Sequence, residues 1–413
     1  MTQSFKIERA EARIVFDSRG SQTVEVELGS GEVSFSVAAP AGKSRGGREV
    51  QAYPSNGVAE AVKAFREMVR PRLLGADPAD QRAIDGMLAE IDGSGDFSRI
   101  GGNTAYSVSI CSAGLASRLA GKPLWEHVAK LSGLRPSIPV PLGNVLGGGA
   151  HAGRGAPDIQ EILVFHTAAR TPSEAVEENI AVHRRVGERL SEMLPDYGGG
   201  KGDEGAYAPP LDDETALKAV KESAGGLVAV GLDVAANSIY ISGRRVYRYR
   251  RMGEMDRARH IQYIERLATS YGLKYLEDPV EENDWDGFRM LRSRLPGTLI
   301  CGDDLVVTRA DLIREAAASG AINAVILKPN QVGTLSATLD AAAEAERWKV
   351  VKVVSHRSGE TCDSSLAHIA VGVGANLIKS GIVGGERVAK ANELLRIWER
   401  AAGRLEMSRV AAP

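Results

Sequence analysis

The 413-residue sequence is poor in cysteine and carries almost no net charge. Its three cysteines, Cys111, Cys301 and Cys362, lie far apart and form no CxxC pair. This spacing argues against a disulfide framework and a thiolate metal site, and it is typical of a reducing compartment. The formal net charge of −2 gives no electrostatic reason to expect nucleic acid or an anionic membrane as a partner.

Long apolar runs are missing as well. No stretch approaches the roughly 18 apolar residues of a membrane-spanning helix. The first residues include Glu8 and Glu11 and lack the continuous apolar core of a secretory signal. We therefore expect a cytoplasmic enzyme.

The first third of the chain predicts an α+β domain over residues 1–135. Strands are predicted over Phe5–Phe16, Thr23–Leu28 and Glu32–Ala38, as an antiparallel meander with one wet face. Helical patterns follow at 57–72, 80–92, 103–119 and 123–131. A glycine-rich basic stretch at 39–47 is either a mobile loop or a solvated linker.

From residue 136 to residue 413, short apolar strands alternate with helices. A strand is predicted over Ile159–Phe165, and six later strands each end at an ionisable residue: Asp233, Glu277, Asp303, Lys328, His356 and Lys379. Repeated βα units of this kind predict a parallel barrel with its site at the carboxyl ends of the strands. A doubly wound sheet is the alternative, but it would place chemistry at one switch point only.

Asp233, Glu277 and Asp303 are carboxylates at the ends of three successive predicted strands. Acids that converge at one barrel mouth repel one another unless a cation lies between them. Oxygen ligands without cysteine or histidine nearby favour Mg²⁺ or a similar hard ion. A single acid of this kind is often structural, whereas three in succession predict a metal site.

Lys328 and Lys379 follow at the next strand ends. Near a divalent ion their pKa values should be lowered, which suits a general base. The alternative for each lysine is an ordinary salt bridge to the acids, and this alternative is stronger for Lys379.

The segment VKVVSHRSGE at 351–360 ends a run of β-branched residues in a polar cluster. The guanidinium of Arg357, the hydroxyl of Ser358 and the imidazole of His356 form a set that suits a phosphate. A solvated loop after a strand is the alternative. Glu204, in a glycine-rich loop, is a candidate general acid, whereas His151, Gln160 and Glu161 taken singly are ordinary loop or strand residues.

In order and in combination, these segments resemble the enolase family over nearly the whole chain. The matching stretches are DSRG at 17–20, HAG at 151–153, QE at 160–161, GDEG at 202–205, LDVAA at 232–236, EDP at 277–279, GDDL at 302–305, LKPNQVGT at 327–334, SHRSGET at 355–361, IKSG at 378–381 and AKANELLRI at 389–397. The resemblance implies a small α+β cap on a modified TIM-type (β/α)8 barrel, and a homodimer or higher homo-oligomer. It also implies conversion of 2-phosphoglycerate to phosphoenolpyruvate, a step of glycolysis and gluconeogenesis, with two Mg²⁺ ions.

The resemblance also implies a role for each matching residue. Lys328 would remove the C2 proton, Glu204 would act as acid at the leaving hydroxyl with Glu161 beside it, and Lys379 would help to neutralise the enolate. Asp233, Glu277 and Asp303 would bind the first Mg²⁺, and Ser44 would help to bind the second. The substrate would be held by Arg357 and Ser358 at the phosphate, with His151, Gln160 and His356 lining the site.

Departures from the family pattern fall on the lid and rim. The lid reads Ala41–Gly46, and it gains Lys43 and Arg45 while keeping Ser44. These cations suggest an alternative: a paralogue that performs the same chemistry on another phosphate- or phosphonate-bearing acid. A non-catalytic binding protein of enolase shape is disfavoured, because Lys328 and Glu204 are both present.

Overall fold

The computed structural model describes residues 5–43 and 46–410. A three-stranded sheet with helices packs beside a closed eight-stranded barrel. The predicted fold class, an α+β cap on a TIM-type barrel, is therefore confirmed. Ser44 and Arg45 of the lid lie outside the described residues. The division of the chain at residue 135 stays a prediction.

The N-terminal sheet is an antiparallel meander of β1 (Arg9–Phe16), β2 (Gln22–Ser30) and β3 (Val33–Ala38). Val24, Val26 and Leu28 alternate into the core, as the period-two pattern predicts. The first strand begins later than the predicted Phe5. Ile7 exchanges backbone hydrogen bonds with Gly75 and Ala76 instead, so this segment pairs with a loop rather than with the sheet.

The helices of the cap are α1 (Val58–Ala64), α2 (Arg70–Leu73), α3 (Gln81–Asp92), α4 (Gly102–Leu119) and α5 (Leu124–Ser132). A single helix was predicted over 57–72, but a π-helical turn at Phe65–Val69 separates α1 from α2. Pro71 has no N–H to continue the regular hydrogen-bond ladder, which accounts for the irregularity.

Eleven further strands follow. In chain order they are β4 (Val140–Gly147), β5 (Glu161–His166), β6 (Val228–Asp233), β7 (Tyr240–Ile241), β8 (Val246–Tyr249), β9 (Gly253–Asp256), β10 (Tyr275–Glu277), β11 (Leu299–Gly302), β12 (Ala324–Leu327), β13 (Val351–Ser355) and β14 (Leu377–Gly381). Strands β7, β8 and β9 form a small antiparallel sheet, and the other eight close the barrel in the order β10-β11-β12-β13-β14-β4-β5-β6.

Strand β5 runs antiparallel to both of its neighbours, so the predicted all-parallel barrel is wrong at this point. No crossover helix lies between β4 and β5. Their connection holds only a 3-10 turn at Gly149–His151, so the chain turns straight back along the sheet. As a result the first residue of β5, Glu161, lies beside Asp233 at the carboxyl end of β6.

The helices of the second region surround the barrel. They are α6 (Pro172–Met193), α7 (Asp213–Ser223), α8 (Arg257–Tyr271), α9 (Trp285–Arg294), α10 (Ala310–Ala318), α11 (Pro329–Val332), α12 (Leu335–Arg347), α13 (Ser365–Gly372) and α14 (Gly385–Ala401). Gly372 of α13 lies directly against Trp125 and Val128 of α5, so this cap helix packs on the barrel. Within the described residues, no helix is long and apolar enough to cross a membrane.

Candidate active site

The carboxyl ends of the barrel strands line a cleft whose empty space, together with its open mouth, is about 510 Å³. Strand register brings Glu161 of β5 beside Asp233 of β6, and Asp233 beside Glu277 of β10. On the other side of the ring, Ser355 of β13 lies beside Lys379 of β14. The sheet itself therefore gathers residues that are far apart in sequence.

Lys379 lies at the centre of the acids. Its Nζ donates to Asp233 Oδ2 at 2.8 Å and to Glu277 Oε2 at 2.8 Å, and it lies 3.1 Å from Glu161 Oε2. Burial alone would lower the pKa of Lys379, but the surrounding carboxylates outweigh it and raise the pKa well above its ordinary value.

Lys328, which directly follows β12, is paired with Asp303 Oδ2. Burial opposes the charge of Lys328, but Asp303 overcomes this effect, so the pKa of the lysine is raised. The sequence predicts lowered pKa values for Lys328 and Lys379, but the neighbouring carboxylates raise the pKa values of both lysines. That prediction assumed a cation between the acids, whereas here each ammonium pairs with carboxylates directly.

Asp233, Glu277 and Asp303 are the residues predicted to hold a cation, and they differ in how free their oxygens are. Glu277 Oε1 is buried and has no hydrogen-bond partner among the described residues. Burial, followed by repulsion from Asp233, raises the pKa of Glu277 well above its ordinary value. Burial likewise raises the pKa of Asp233. Glu277 therefore combines a raised pKa with an unpaired oxygen, the donor chemistry that a hard divalent cation stabilises. Both oxygens of Asp233 and both oxygens of Asp303 already have protein partners.

Asp278, Asp303 and Asp304 form a second acidic group, with carboxylate oxygens within 4.8 Å of one another. Asp278, however, accepts from the backbone N–H groups of Asp303 (2.9 Å) and Asp304 (2.8 Å). Its carboxylate thus holds the turn after β11 and thereby positions Asp303.

Glu204 and two histidines form another part of the cleft wall. Glu204 Oε1 lies 3.3 Å from His356 Nε2 and 3.7 Å from His151 Nδ1, and Oε2 accepts from Asn144 Nδ2 at 3.0 Å. Burial raises the pKa of Glu204, but His356 and His151 outweigh it and hold the pKa well below its ordinary value. His151 also lies 3.3 Å from Glu161 Oε1. Three residues that are far apart in the sequence thus meet at this wall of the cleft.

Arg357 and Ser358 lie in the loop after β13, against the cap. The guanidinium of Arg357 donates from Nη1 to Glu49 Oε2 and to Asn330 Oδ1, each at 3.0 Å. The Ser358 hydroxyl accepts from the backbone N–H of Lys43 at 2.9 Å. Both residues line the cleft, where a phosphate would meet a guanidinium and a hydroxyl.

Four residues that the sequence did not single out complete the site. Asn144 holds Glu204, Glu49 holds Arg357, Gln331 Nε2 donates to Asp303 Oδ1 at 2.9 Å, and Arg387 contacts His356. Gln331 belongs to the stretch KPNQVG, which the resemblance includes, but the sequence alone does not indicate its hydrogen bond to Asp303. Gln160 lines the cleft, and its Nε2 donates to Asp233 Oδ2 at 3.4 Å.

The lysines Lys379, which is buried, and Lys328, which is half-buried, lie with several acids and a guanidinium at the mouth of the barrel, and this combination defines a class of protein. It is an acid–base enzyme that acts on a small anionic substrate. The family model described as "Enolase, N-terminal domain" matches residues 7–128, and the one described as "Enolase, C-terminal TIM barrel domain" matches residues 135–408. The chain belongs to the enolase family.

Curated relatives support the same family over the full length. The chain is 42% identical over 402 residues to the enolase of Methanothermobacter thermautotrophicus, covering 95% of this chain and 96% of the relative. It is 43% identical over 403 residues to the enolase of Methanosphaera stadtmanae, covering 95% and 97%. The enolase of Halorubrum lacusprofundi is 43% identical over 402 residues, covering 94% and 98%.

Proposed function

We propose that this chain is a hydro-lyase that interconverts 2-phosphoglycerate and phosphoenolpyruvate with the help of Mg²⁺. Family membership supports the reaction, and one structural observation carries it. Lys328 follows β12, whereas Glu161, with Glu204 within 4.8 Å, begins β5. These two strands are diametrically opposed in the ring of eight, so the candidate base and acid approach a substrate from opposite sides.

In this proposal Lys328 takes the C2 proton of the substrate. It must do so as the neutral amine, so its pairing with Asp303, which raises the pKa of the lysine, has to be relieved in the substrate complex. The electrons of the C2–H bond pass first into the substrate carboxylate, which forms an enolate. They then return to make the C2–C3 double bond as the C3–O bond breaks. Glu204, with Glu161 beside it, gives a proton to the departing hydroxyl, which leaves as water. Because His356 and His151 hold the pKa of Glu204 low in the free protein, Glu204 has to take up this proton in the substrate complex. Proton transfer by positioned side chains of this kind contributes about 10² to 10⁴ in rate.

Other residues of the cleft hold the substrate while this occurs. Lys379 places its ammonium where negative charge grows on the enolate. Arg357 and Ser358 hold the phosphate. The remaining proposed binding residues, which line the walls, are His151, Gln160 and His356.

Asp233, Glu277 and Asp303 would hold the first Mg²⁺, and Ser44 would contribute to the second. When bound, such an ion supplies positive charge to the substrate carboxylate and to the enolate. Lys328 is paired with Asp303, and Lys379 is paired with Asp233 and Glu277. The carboxylates proposed to bind the metal are therefore also the partners of the two lysines.

Lys43, the one added lid cation that the structure describes, does not favour the alternative substrate. Lys43 Nζ lies 3.3 Å from Asp203 Oδ2, so this cation already has a carboxylate partner in the GDEG loop. An extra anionic group on a substrate would have to compete with Asp203.

We also propose a homodimer or larger homo-oligomer in the cytoplasm. Ile14 (37% exposed) and Phe16 (66% exposed) on the outer strand β1 support an interface on the cap. Light scattering of the purified chain should give a multiple of the single-chain mass.

The test of the proposed reaction is the absorbance of the enol phosphate formed from 2-phosphoglycerate. Metal-stripped protein should be inactive, and Mg²⁺ should restore turnover. No turnover by clean, metal-loaded protein would contradict the proposal. A higher rate on a more anionic analogue than on 2-phosphoglycerate would favour the paralogue instead.

A further inference from the structure

Arg387 is an arginine that is completely buried in the first turn of α14. Its Nη1 donates to His356 Nδ1 at 2.7 Å and to the carbonyl of Arg357 at 2.8 Å. Its Nη2 donates to the carbonyls of Asp203 at 3.0 Å and Ser358 at 2.6 Å. One side chain therefore joins the loop that carries the proposed phosphate ligands to the loop that carries Glu204.

The contact with Arg387 also determines which ring nitrogen of His356 carries the proton. A guanidinium can only donate, so Nδ1 of His356 must be the unprotonated acceptor. The ring proton of a neutral His356 therefore sits on Nε2, which lies 3.3 Å from Glu204 Oε1. These two atoms are in close polar contact without aligned hydrogen-bond geometry, so a small ring rotation would complete the bond.

We propose that Arg387 is a positioning residue: it holds His356 in the Nε2–H form that faces Glu204 and ties the Glu204 loop to the Arg357 loop. The kinetic part of this inference rests on the proposed function. The tautomer part rests on geometry alone. Burying an arginine costs free energy unless its donors are satisfied. Here Nη1 and Nη2 donate to the two loops of the cleft, and Nε lies 3.2 Å from Glu386 Oε1.

The tautomer is tested without any reaction. In ¹⁵N-histidine-labelled wild-type protein, the His356 ring, identified by its loss in His356→Gln, should show a protonated Nε2 and an unprotonated Nδ1. Protonation of Nδ1 instead would overturn the proposal. Arg387→Met should release the ring into a mixture of forms, and Arg387→Lys, which keeps one donor, should restore much of the wild-type signal.

The positioning role is tested by two rates at saturating substrate. Because Arg387 acts through His356 on Glu204, Arg387→Met should slow dehydration about 100-fold but slow exchange of the substrate C2 proton by about three-fold at most. If Arg387 only stabilised the fold, its loss would slow dehydration and C2 proton exchange equally, and that result would overturn the proposed positioning role. The double variant with His356→Gln should be no slower than the worse single variant, whereas additive losses would contradict action through His356.

Arg400→Met is the matched control, since Arg400 lies on the same helix with its side chain 70% exposed. It should leave both rates and the His356 signal unchanged. If Arg387→Met does not fold, the wild-type tautomer and the Arg387→Lys rates still decide the proposal. If wild-type protein fails to act on 2-phosphoglycerate, the proposed function fails while the tautomer measurement stands.

Discussion

Glu204 contacts side chains from three separate parts of the chain: Asn144 of β4, His151 in the following loop and His356 after β13. Each of these residues is itself buried. A carboxylate held from several sides keeps its position when a substrate hydroxyl approaches, which a general acid requires.

Glu204→Gln tests this role at the level of one atom. The amide keeps the shape but has no acidic proton, so dehydration should fall by about 10² to 10⁴, whereas C2 proton exchange should fall far less, because exchange precedes loss of the hydroxyl. Both rates are measured on 2-phosphoglycerate in deuterated water. Equal loss of exchange and dehydration would contradict the assignment.

His260 is a buried histidine outside the cleft, and it makes the fold sensitive to acid. Its ring stacks on Tyr247 at 3.6 Å, Nδ1 lies 3.0 Å from the Tyr249 hydroxyl, and Nε2 lies 2.8 Å from the carbonyl of Pro279. Burial lowers the pKa of His260 to about 4, so the folded protein keeps it neutral while the unfolded chain binds a proton near pH 6.5.

The sign of the effect follows from proton binding. Between pH 6.5 and about 4 the unfolded state holds more protons at this site, so stability is full above pH 6.5 and falls as the pH drops. The loss at pH 4 should reach about 2–3 kcal/mol. His260→Gln removes the titration, so the unfolding free energy of the variant, from denaturant titrations, should depend less on pH in this window. An unchanged pH slope would contradict the prediction.

The sequence predicts a candidate site residue where its residue type and position are typical of a particular chemical role. The strand-end acids and lysines were found because ionisable groups stand out after apolar strands. Asn144 and Glu49 were missed because an amide within an apolar run and an acid after a basic loop carry no distinctive signal. Their roles depend on which distant side chain they meet, and that is set by the fold.

At the scale of elements, the barrel strands that end in ionisable residues were predicted to within a few residues, but the direction of β5 was not. In a parallel barrel, functional residues are expected at the carboxyl ends of the strands. Glu161 is instead the first residue of β5, so this expectation does not select it. Only the reversal of β5 brings it to the face that carries Asp233. Strand direction depends on the connection, and the glycine-rich loop before Gln160 gave no sign of a direct return.

Strand β4 was not singled out from the sequence. Pro141 near its start and the glycines of VPLGNVLG weaken a strand pattern. The strand forms because β14 pairs with it in parallel, with Ile378 opposite Pro141. Tertiary pairing here overrides local preference.

At the scale of the whole molecule, the cap and the barrel meet at the loop after β13, which carries Arg357 and Ser358. Ala41 and Gly359 exchange backbone hydrogen bonds of 2.8 and 2.9 Å, and the backbone N–H of Ser18 donates to the carbonyl of Glu360 at 2.7 Å. A Cβ at Gly359 would lie 2.8 Å from the carbonyl of Ala41 and 2.5 Å from Asp17 Oδ2. Only glycine allows the two regions to approach this closely.

Gly359→Ala should therefore push the cap away from the loop that holds Arg357. We expect the KM for 2-phosphoglycerate to rise about ten-fold or more, since small displacements at a substrate-binding group are costly. Amide hydrogen exchange at Ala41 should also become faster. Gly385→Ala is the control, because a Cβ there meets no atom within 4 Å. An unchanged KM in Gly359→Ala would show that this contact does not position the site.

The central claim is that Lys328 removes the C2 proton of 2-phosphoglycerate from one side of the cleft. The direct measurement is exchange of that proton with deuterated solvent, followed by NMR, for metal-loaded wild-type protein and Lys328→Ala. We predict exchange in the wild type and none above background in the variant. Exchange retained by a folded Lys328→Ala would place the base elsewhere and contradict the account.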